Sequence, residues 1–267
     1  MKNSGKVMVS AAAAALLAIA GQSALAQSFN SGLPAGWTVN GTAGTSGANG
    51  VVSLAPIAGS TAYGWVSTEG SNAKAGYGIG GETNGSTLRS VTFAAATGDD
   101  LKFSFNYVTS DGSGFADYGY ANLLNVDGTI AAVLFNARTK PSGTIAPGFG
   151  LPTPVATLVP ASVPIIPGGP AWAPLGDSSG QCFNAGCGYT GWIQSTYGIG
   201  SAGSYILEFG VTNWSDTAYS SGLAFDGITV AGVEIPSAVP EPETYALMFG
   251  GLLAMAAVVR RKRAALV

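Results

Sequence analysis

Histidine is missing altogether from the 267 residues. Its absence removes the commonest general base, the commonest zinc ligand and every Ser-His or Cys-His nucleophile pair. Charge is nearly as scarce. Asp, Glu, Lys and Arg make up 9% of the chain, too little to solvate the outer faces of many helices, whereas 40 glycines suit short strands joined by turns. Six of the 11 Lys and Arg lie at the two ends, leaving five in residues 27–240 against twelve Asp and Glu, a net charge of −7. So acidic a body speaks against nucleic acid or an anionic lipid surface as partner, and it still attracts divalent cations. There are only two cysteines, Cys182 and Cys187. Without a third Cys or any His they cannot complete a zinc site, and four residues between them is not the spacing of a redox pair. In an oxidising compartment they read as a small disulfide loop that tightens a turn by about 2 kcal/mol.

Long apolar runs are confined to the ends. Lys2 and Lys6 precede an apolar stretch, Val7 to Ala20, and Ala24-Leu25-Ala26 has the small-x-small pattern that signal peptidase accepts, with Ala24 and Ala26 as the recognised residues. Residues 1–26 are expected to be a signal peptide cleaved after Ala26, because the run is too short for a span of ~20 residues. Near the other end, residues 244–259 are almost wholly apolar and are followed by Arg260-Arg261-Lys262-Arg263. The basic cluster resists translocation, so residues 244–259 are expected to form a single transmembrane helix with everything upstream outside the cytoplasm. At 16 residues the span is short for a permanent anchor.

The body between reads as an all-β antiparallel sandwich. In Leu101 to Tyr107 the residues Leu101, Phe103, Phe105 and Tyr107 alternate with Lys102, Ser104 and Asn106, and Tyr205, Leu207, Phe209 and Val211 repeat the pattern, with Glu208 on the outer face. Tyr63 to Ser67, Leu88 to Ala94, Tyr120 to Val126, Thr129 to Phe135 and Leu223 to Val230 are further strands, and Asp127-Gly128 predicts a two-residue hairpin turn. Alternation slips between Phe225 and Ile228, which predicts a β-bulge at Gly227. Nine of the 14 prolines fall within residues 141–176. Proline has no amide donor, so this stretch is an insert packed across the sandwich by Leu151, Val155, Leu158, Ile165, Ile166 and Trp172 rather than a central strand. The expected architecture is a jelly-roll-like β-sandwich ectodomain at residues 27–237.

Val239-Pro240-Glu241-Pro242, the apolar segment and the basic cluster Arg260 to Arg263 together resemble the PEP-CTERM sorting signal of Gram-negative bacteria, over residues 238–264. The resemblance implies processing by the membrane protease exosortase at the Pro-Glu-Pro motif, membrane anchorage through the helix before that step, and a cell-surface or extracellular destination. Proteins with this tail are commonly linked to exopolysaccharide and biofilm matrix. The Phe225-Asp226-Gly227-Ile228 ending also resembles the last strand of jelly-roll carbohydrate-binding modules, loosely and as a matter of fold.

Three chemistries are weighed in the body. Trp192 and Trp214, flanked by Gly and polar residues, are the expected surface aromatics for stacking on sugar rings. Asp111, Asp117 and Asp226 are hard oxygen donors at turns or at the bulge and are candidate ligands for a structural calcium ion, although no Asp-x-Asp-x-Asp-Gly loop is present. Two carboxylates such as Glu82 and Asp117 would suffice for a glycosidase without histidine, but most sit beside Gly, Ser or Asn, as turn formers do. No phosphate-binding loop precedes a helical pattern, and without histidine the serine of any Gly-x-Ser-x-Gly string would lack its general base. The expectation is a non-enzymatic exported protein, without cofactor apart from calcium, that associates with extracellular polysaccharide. A carbohydrate-active hydrolase and a purely structural or adhesive surface protein are the alternatives.

Overall fold

The computed structural model describes residues 29–235. The expected signal peptide, the sorting signal and the 244–259 helix lie outside the described residues, and among those that are described no helix is long and apolar enough to cross a membrane. In chain order the strands begin with β1 (Thr38–Asn40), β2 (Thr42–Ser46), β3 (Tyr63–Ser67), β4 (Glu82–Arg89), β5 (Phe93–Ala95) and β6 (Asp100–Thr109). They continue with β7 (Tyr118–Asn125), β8 (Ile130–Arg138), β9 (Thr144–Ala146), β10 (Thr157–Val159), β11 (Val163–Pro164) and β12 (Ile166–Pro167). A short 3-10 helix, Ala173–Ser178, precedes β13 (Gly188–Tyr189), β14 (Ile193–Gly198), β15 (Gly203–Trp214), β16 (Ser221–Val230) and β17 (Val233–Glu234).

Two antiparallel sheets carry the fold, one in the order β1-β4-β15-β7-β8 and the other in the order β10-β14-β6-β16-β3-β2. The alternating residues explain why they stack. Leu101, Phe103, Phe105 and Tyr107 of β6 face Leu207, Phe209 and Val211 of β15, all buried. Aromatic rings bridge the gap: Phe103 meets Phe209 edge-on at 5.2 Å, Phe209 stacks on Phe225 at 3.9 Å, and Phe105 stacks on Phe135 at 3.4 Å. The β6–β16 register shifts between Asp226 and Thr229, with Gly227 at φ +66°, so the bulge expected there exists. It returns Ile228 to the buried side with Leu223 and Phe225.

The hairpin loop differs from expectation. Leu124 pairs with Ile130 and the Asn125 amide donates to the Thr129 carbonyl, so Val126, Asp127 and Gly128 form a three-residue loop with Gly128 at φ +86°. The predicted Leu88 to Ala94 strand is also two strands, β4 and β5, separated by Ser90 to Thr92.

The proline-rich insert builds edge strands and a lid. β10 extends the second sheet at its edge beside β14, where a missing amide is tolerated. Trp172 and Leu175 then pack with Val52, Tyr63, Val108 and Ala224 into a second apolar cluster on the outer face of that sheet, and the Trp172 indole donates to the Tyr63 hydroxyl at 2.9 Å. Leu158 is buried as expected, whereas Val155 and Ile166 are exposed. The second sheet is therefore covered on both faces, and the first keeps an outer face of its own.

Candidate functional site

On that outer face, ladder register brings polar residues from four strands together. Glu208 of β15 is paired with Arg89 of β4 and Asn122 of β7, while Gly210 is paired with Thr87 and Tyr120. Leu88, Ala121 and Phe209, one step along each strand, point into the core. Glu208 is buried and accepts from Arg89 Nε at 2.7 Å and from Asn122 Nδ2 at 3.2 Å. The Arg89 side chain remains 47% exposed, so part of its guanidinium can still meet a ligand. Gly210 has no side chain because the Tyr120 ring occupies the place a Cβ would take.

The segment Lys74 to Gly81 crosses this face and is pinned to it by tyrosines. The Gly76 amide donates to the Tyr120 hydroxyl at 3.0 Å, the Tyr77 amide to the Tyr118 hydroxyl at 2.8 Å, and the Tyr77 hydroxyl to Asn122 Oδ1 at 3.0 Å. The Tyr77 ring lies parallel to Tyr118 at 5.9 Å. Gly76 sits at φ +112°, in the left-handed region, and a Cβ there would strike the Tyr118 hydroxyl. Burial first, and neighbouring acidic groups after it, push the Tyr77, Tyr118 and Tyr120 hydroxyls above the usual range, so they stay neutral donors. A cleft of about 280 Å³ results, lined among others by Asn40, Lys74, Thr87, Arg89, Tyr120 and Glu208. Sequence reasoning had Glu208 on an outer face and did not connect it with Tyr77 or Arg89. The alternation Tyr118-x-Tyr120-x-Asn122 was the available signal.

The two tryptophans expected to stack on sugars are otherwise engaged. Trp192 is half-buried against the second cluster, its indole donating to the Ser53 carbonyl at 3.0 Å and its ring set edge-on to Tyr63 at 5.7 Å. The Arg138 guanidinium sits 4.2 Å from the centre of the Trp214 ring, and Gly81 packs so closely on that ring that a Cβ would collide with it. Both pack on neighbouring side chains and remain partly exposed. Glu82 accepts from the Tyr118 hydroxyl at 2.8 Å and the Ile79 amide at 2.9 Å. Although partial burial opposes it, these bonds hold its carboxyl below the usual range.

The three aspartates separate into two places. Asp111 and Asp117 lie together at one end of the sandwich, where Asp117 accepts from the Trp214 amide and the Ser221 hydroxyl, each at 2.7 Å, and Asp111 Oδ1 accepts from the Gly112 amide at 2.7 Å. Asp226 is at the bulge, five residues from Ser221 along β16, roughly 16 Å at strand rise, and accepts from the Ser60 hydroxyl at 2.6 Å. The calcium set expected from sequence is thus not one site. Among the described residues no three His, Cys, Asp or Glu side chains converge as metal ligands. Burial, and then the neighbouring carboxylates, push Asp117 well above its ordinary value, and burial pushes Asp111 up to about 7. The disulfide joins Cys182 to Cys187 as expected, and its loop closes over this end through the Phe183 amide on the Ser110 carbonyl at 3.0 Å and the Ser113 amide on the Ala185 carbonyl at 2.7 Å.

No curated protein matches the chain. Among solved structures, the K3 adhesin domain of Lys-gingipain from Porphyromonas gingivalis is similar at TM-score 0.38 and 12% identity, over 78% of this chain and 97% of that one. The enzymatically active domain of tailspike protein 4 of bacteriophage CBA120 is similar at TM-score 0.30 and 10% identity, over 73% of this chain and 19% of that one. A candidate sugar-binding protein of Bacteroides thetaiotaomicron is similar at 0.26 and 8%, over 73% and 86%. Likenesses this distant assign neither activity nor ligand. The β-rich domain matches no family model, but residues 238–263 match the PEP-CTERM protein-sorting motif, and the chain therefore carries the tail that supports an exported protein sorted by exosortase.

Proposed function

We propose that this chain is a cell-surface or extracellular-matrix protein that holds extracellular polysaccharide, without catalysis, in the tyrosine-bordered cleft on the outer face of the first sheet. The observation that carries the reading is the cleft itself. Arg89, Glu208, Asn122, Thr87, Asn40 and Lys74 offer donors and acceptors beside Tyr77 and Tyr120, the mixture of hydrogen-bonding and aromatic groups that sugar rings require. Two of the five cations in the acidic body border it. A hydrolytic reading of the Glu82 and Asp117 pair has less support, because Glu82, bonded to Tyr118, is lowered, and Asp117 is fully buried with its oxygens on the Trp214 amide and the Ser221 hydroxyl.

The test is retardation of the full-length protein in native gels cast with exopolysaccharide from the producing cells. Arg89→Ala and Lys74→Ala should each weaken retention about tenfold, the cost of one hydrogen bond to a charged group. Unaltered mobility of the wild type across several polymers would leave a purely adhesive surface protein as the reading, and release of reducing sugar would establish the hydrolase.

A further inference from the structure

The end of the sandwich beneath the disulfide loop carries two buried carboxylates that form no ion pair with any Lys or Arg among the described residues. Asp111 is 1% exposed and Asp117 fully buried, and the ion pairs among the described residues, Arg89 with Glu208 and Lys102 with Asp100, are elsewhere. The Arg138 guanidinium feels the charge of Asp117 but forms no ion pair with it, donating Nε to the Ala116 carbonyl at 3.0 Å and lying over Trp214. Asp216 adds a further acidic group nearby. Asp111 Oδ2 has no hydrogen-bond partner although it is buried. Burying carboxylate oxygens without compensation is costly, so an orphaned one in a folded protein calls for an explanation.

A third oxygen belongs to the same corner. Asn213 stands one residue beyond the last β15–β7 pair, Thr212 with Tyr118, and is therefore beside Asp117, which also receives the Trp214 amide. Asn213 is fully buried and its Oδ1 is unpartnered. Its orientation is fixed by logic of donors and acceptors. Asn84 uses its amide nitrogen on the Thr68 and Ser71 carbonyls, both at 3.0 Å, so its Oδ1 must accept, and it accepts from Asn213 Nδ2 at 3.1 Å. The Asn213 oxygen is thereby left without a donor. Beside the two aspartates, Thr109 Oγ1 and Ser221 Oγ, 2.7 Å apart, supply hydroxyl oxygens, the former bonded to the Asp111 amide and the latter to Asp117.

We propose that Asp111, Asp117 and Asn213 hold a calcium ion in this corner. Calcium takes six to eight oxygen ligands from carboxylates, amides, carbonyls and hydroxyls in tolerant geometry, and the donors present are of that kind alone. Asp226, at the bulge, takes no part. The ion supplies the missing positive charge and ties the 110–117 loop to the end of β15.

The decisive measurement is isothermal titration of the chelator-treated full-length protein with calcium chloride alone, alongside thermal unfolding in chelator and in calcium. One ion is expected to bind with a dissociation constant on the order of 0.1–1 mM and to raise the melting temperature. Asp111→Asn and Asn213→Ala should each weaken binding at least about tenfold, while Asp226→Asn binds as the wild type does. Wild-type protein that takes up no calcium and melts identically in both buffers overturns the proposal. So does binding that persists unchanged in Asn213→Ala, the variant that alters no charge and remains informative should Asp111→Asn fail to fold.

Discussion

At Gly210 the absence of a side chain shapes the cleft, because the Tyr120 ring lies where a Cβ would be. Gly210→Val should displace that ring, cost about 1–3 kcal/mol in urea unfolding as overpacked substitutions do, and abolish polysaccharide retention together with the stability loss. Retention preserved at wild-type strength would mean that the Tyr120 floor does not shape the binding surface. Asp226 makes a different kind of prediction. Burial raises its carboxyl, and Glu234, raised first by burial and then by Asp226, faces it. The folded state thus binds the proton more tightly than the unfolded one, so this contribution to stability is complete below the unfolded value near about 4 and is lost as pH climbs through the folded value. Asp226→Asn should therefore gain on the wild type in urea midpoint as pH rises from about 4 to about 8, and a difference that stays flat across that range refutes the assignment.

At the scale of elements, the insert is the part whose role could be read only halfway. Proline content excluded a central strand, and Trp172 was correctly expected to pack, yet nothing in the sequence said that it would cover the outer face of the second sheet rather than span the sandwich. That depends on Tyr63 and Trp65 facing outward on β3, a parity set by pairing with β16. Trp172→Ala should cost about 3–5 kcal/mol in denaturant unfolding, as deleting a fully buried indole does, and a loss near that of a surface substitution would contradict the packing. Single-strand features were legible: the alternation of β6 and β15, and the bulge at Gly227, follow from side-chain parity alone. The cleft was not, because Arg89, Tyr120 and Glu208 are 31 and 88 residues apart in sequence and meet only through the β4–β15–β7 register. Likewise residue type alone groups Asp226 with Asp111 and Asp117, whereas β16 carries it away from them to the mid-strand bulge. Asn213, an uncharged residue inside a strand, gave no sign in sequence of an unpartnered oxygen.

For the molecule as a whole, the asymmetry between the two outer faces matters more than the core they share. One is sealed by the second cluster, the other is exposed apart from the Lys74 to Gly81 segment, and the residues that line the cleft all lie on that second kind of surface. The sorting motif begins at residue 238, close behind β17. β17 is held to β16 by two ladder pairs, Thr229 with Glu234 and Val230 with Val233, whereas β16 makes eight with β6 and four more with β3. Tension applied to the chain beyond Ile235 would therefore act first on this two-pair ladder. β17 should then peel away as a mechanical fuse, with the remaining load carried in shear along the eight-pair and four-pair ladders of β16, away from the cleft on the other sheet.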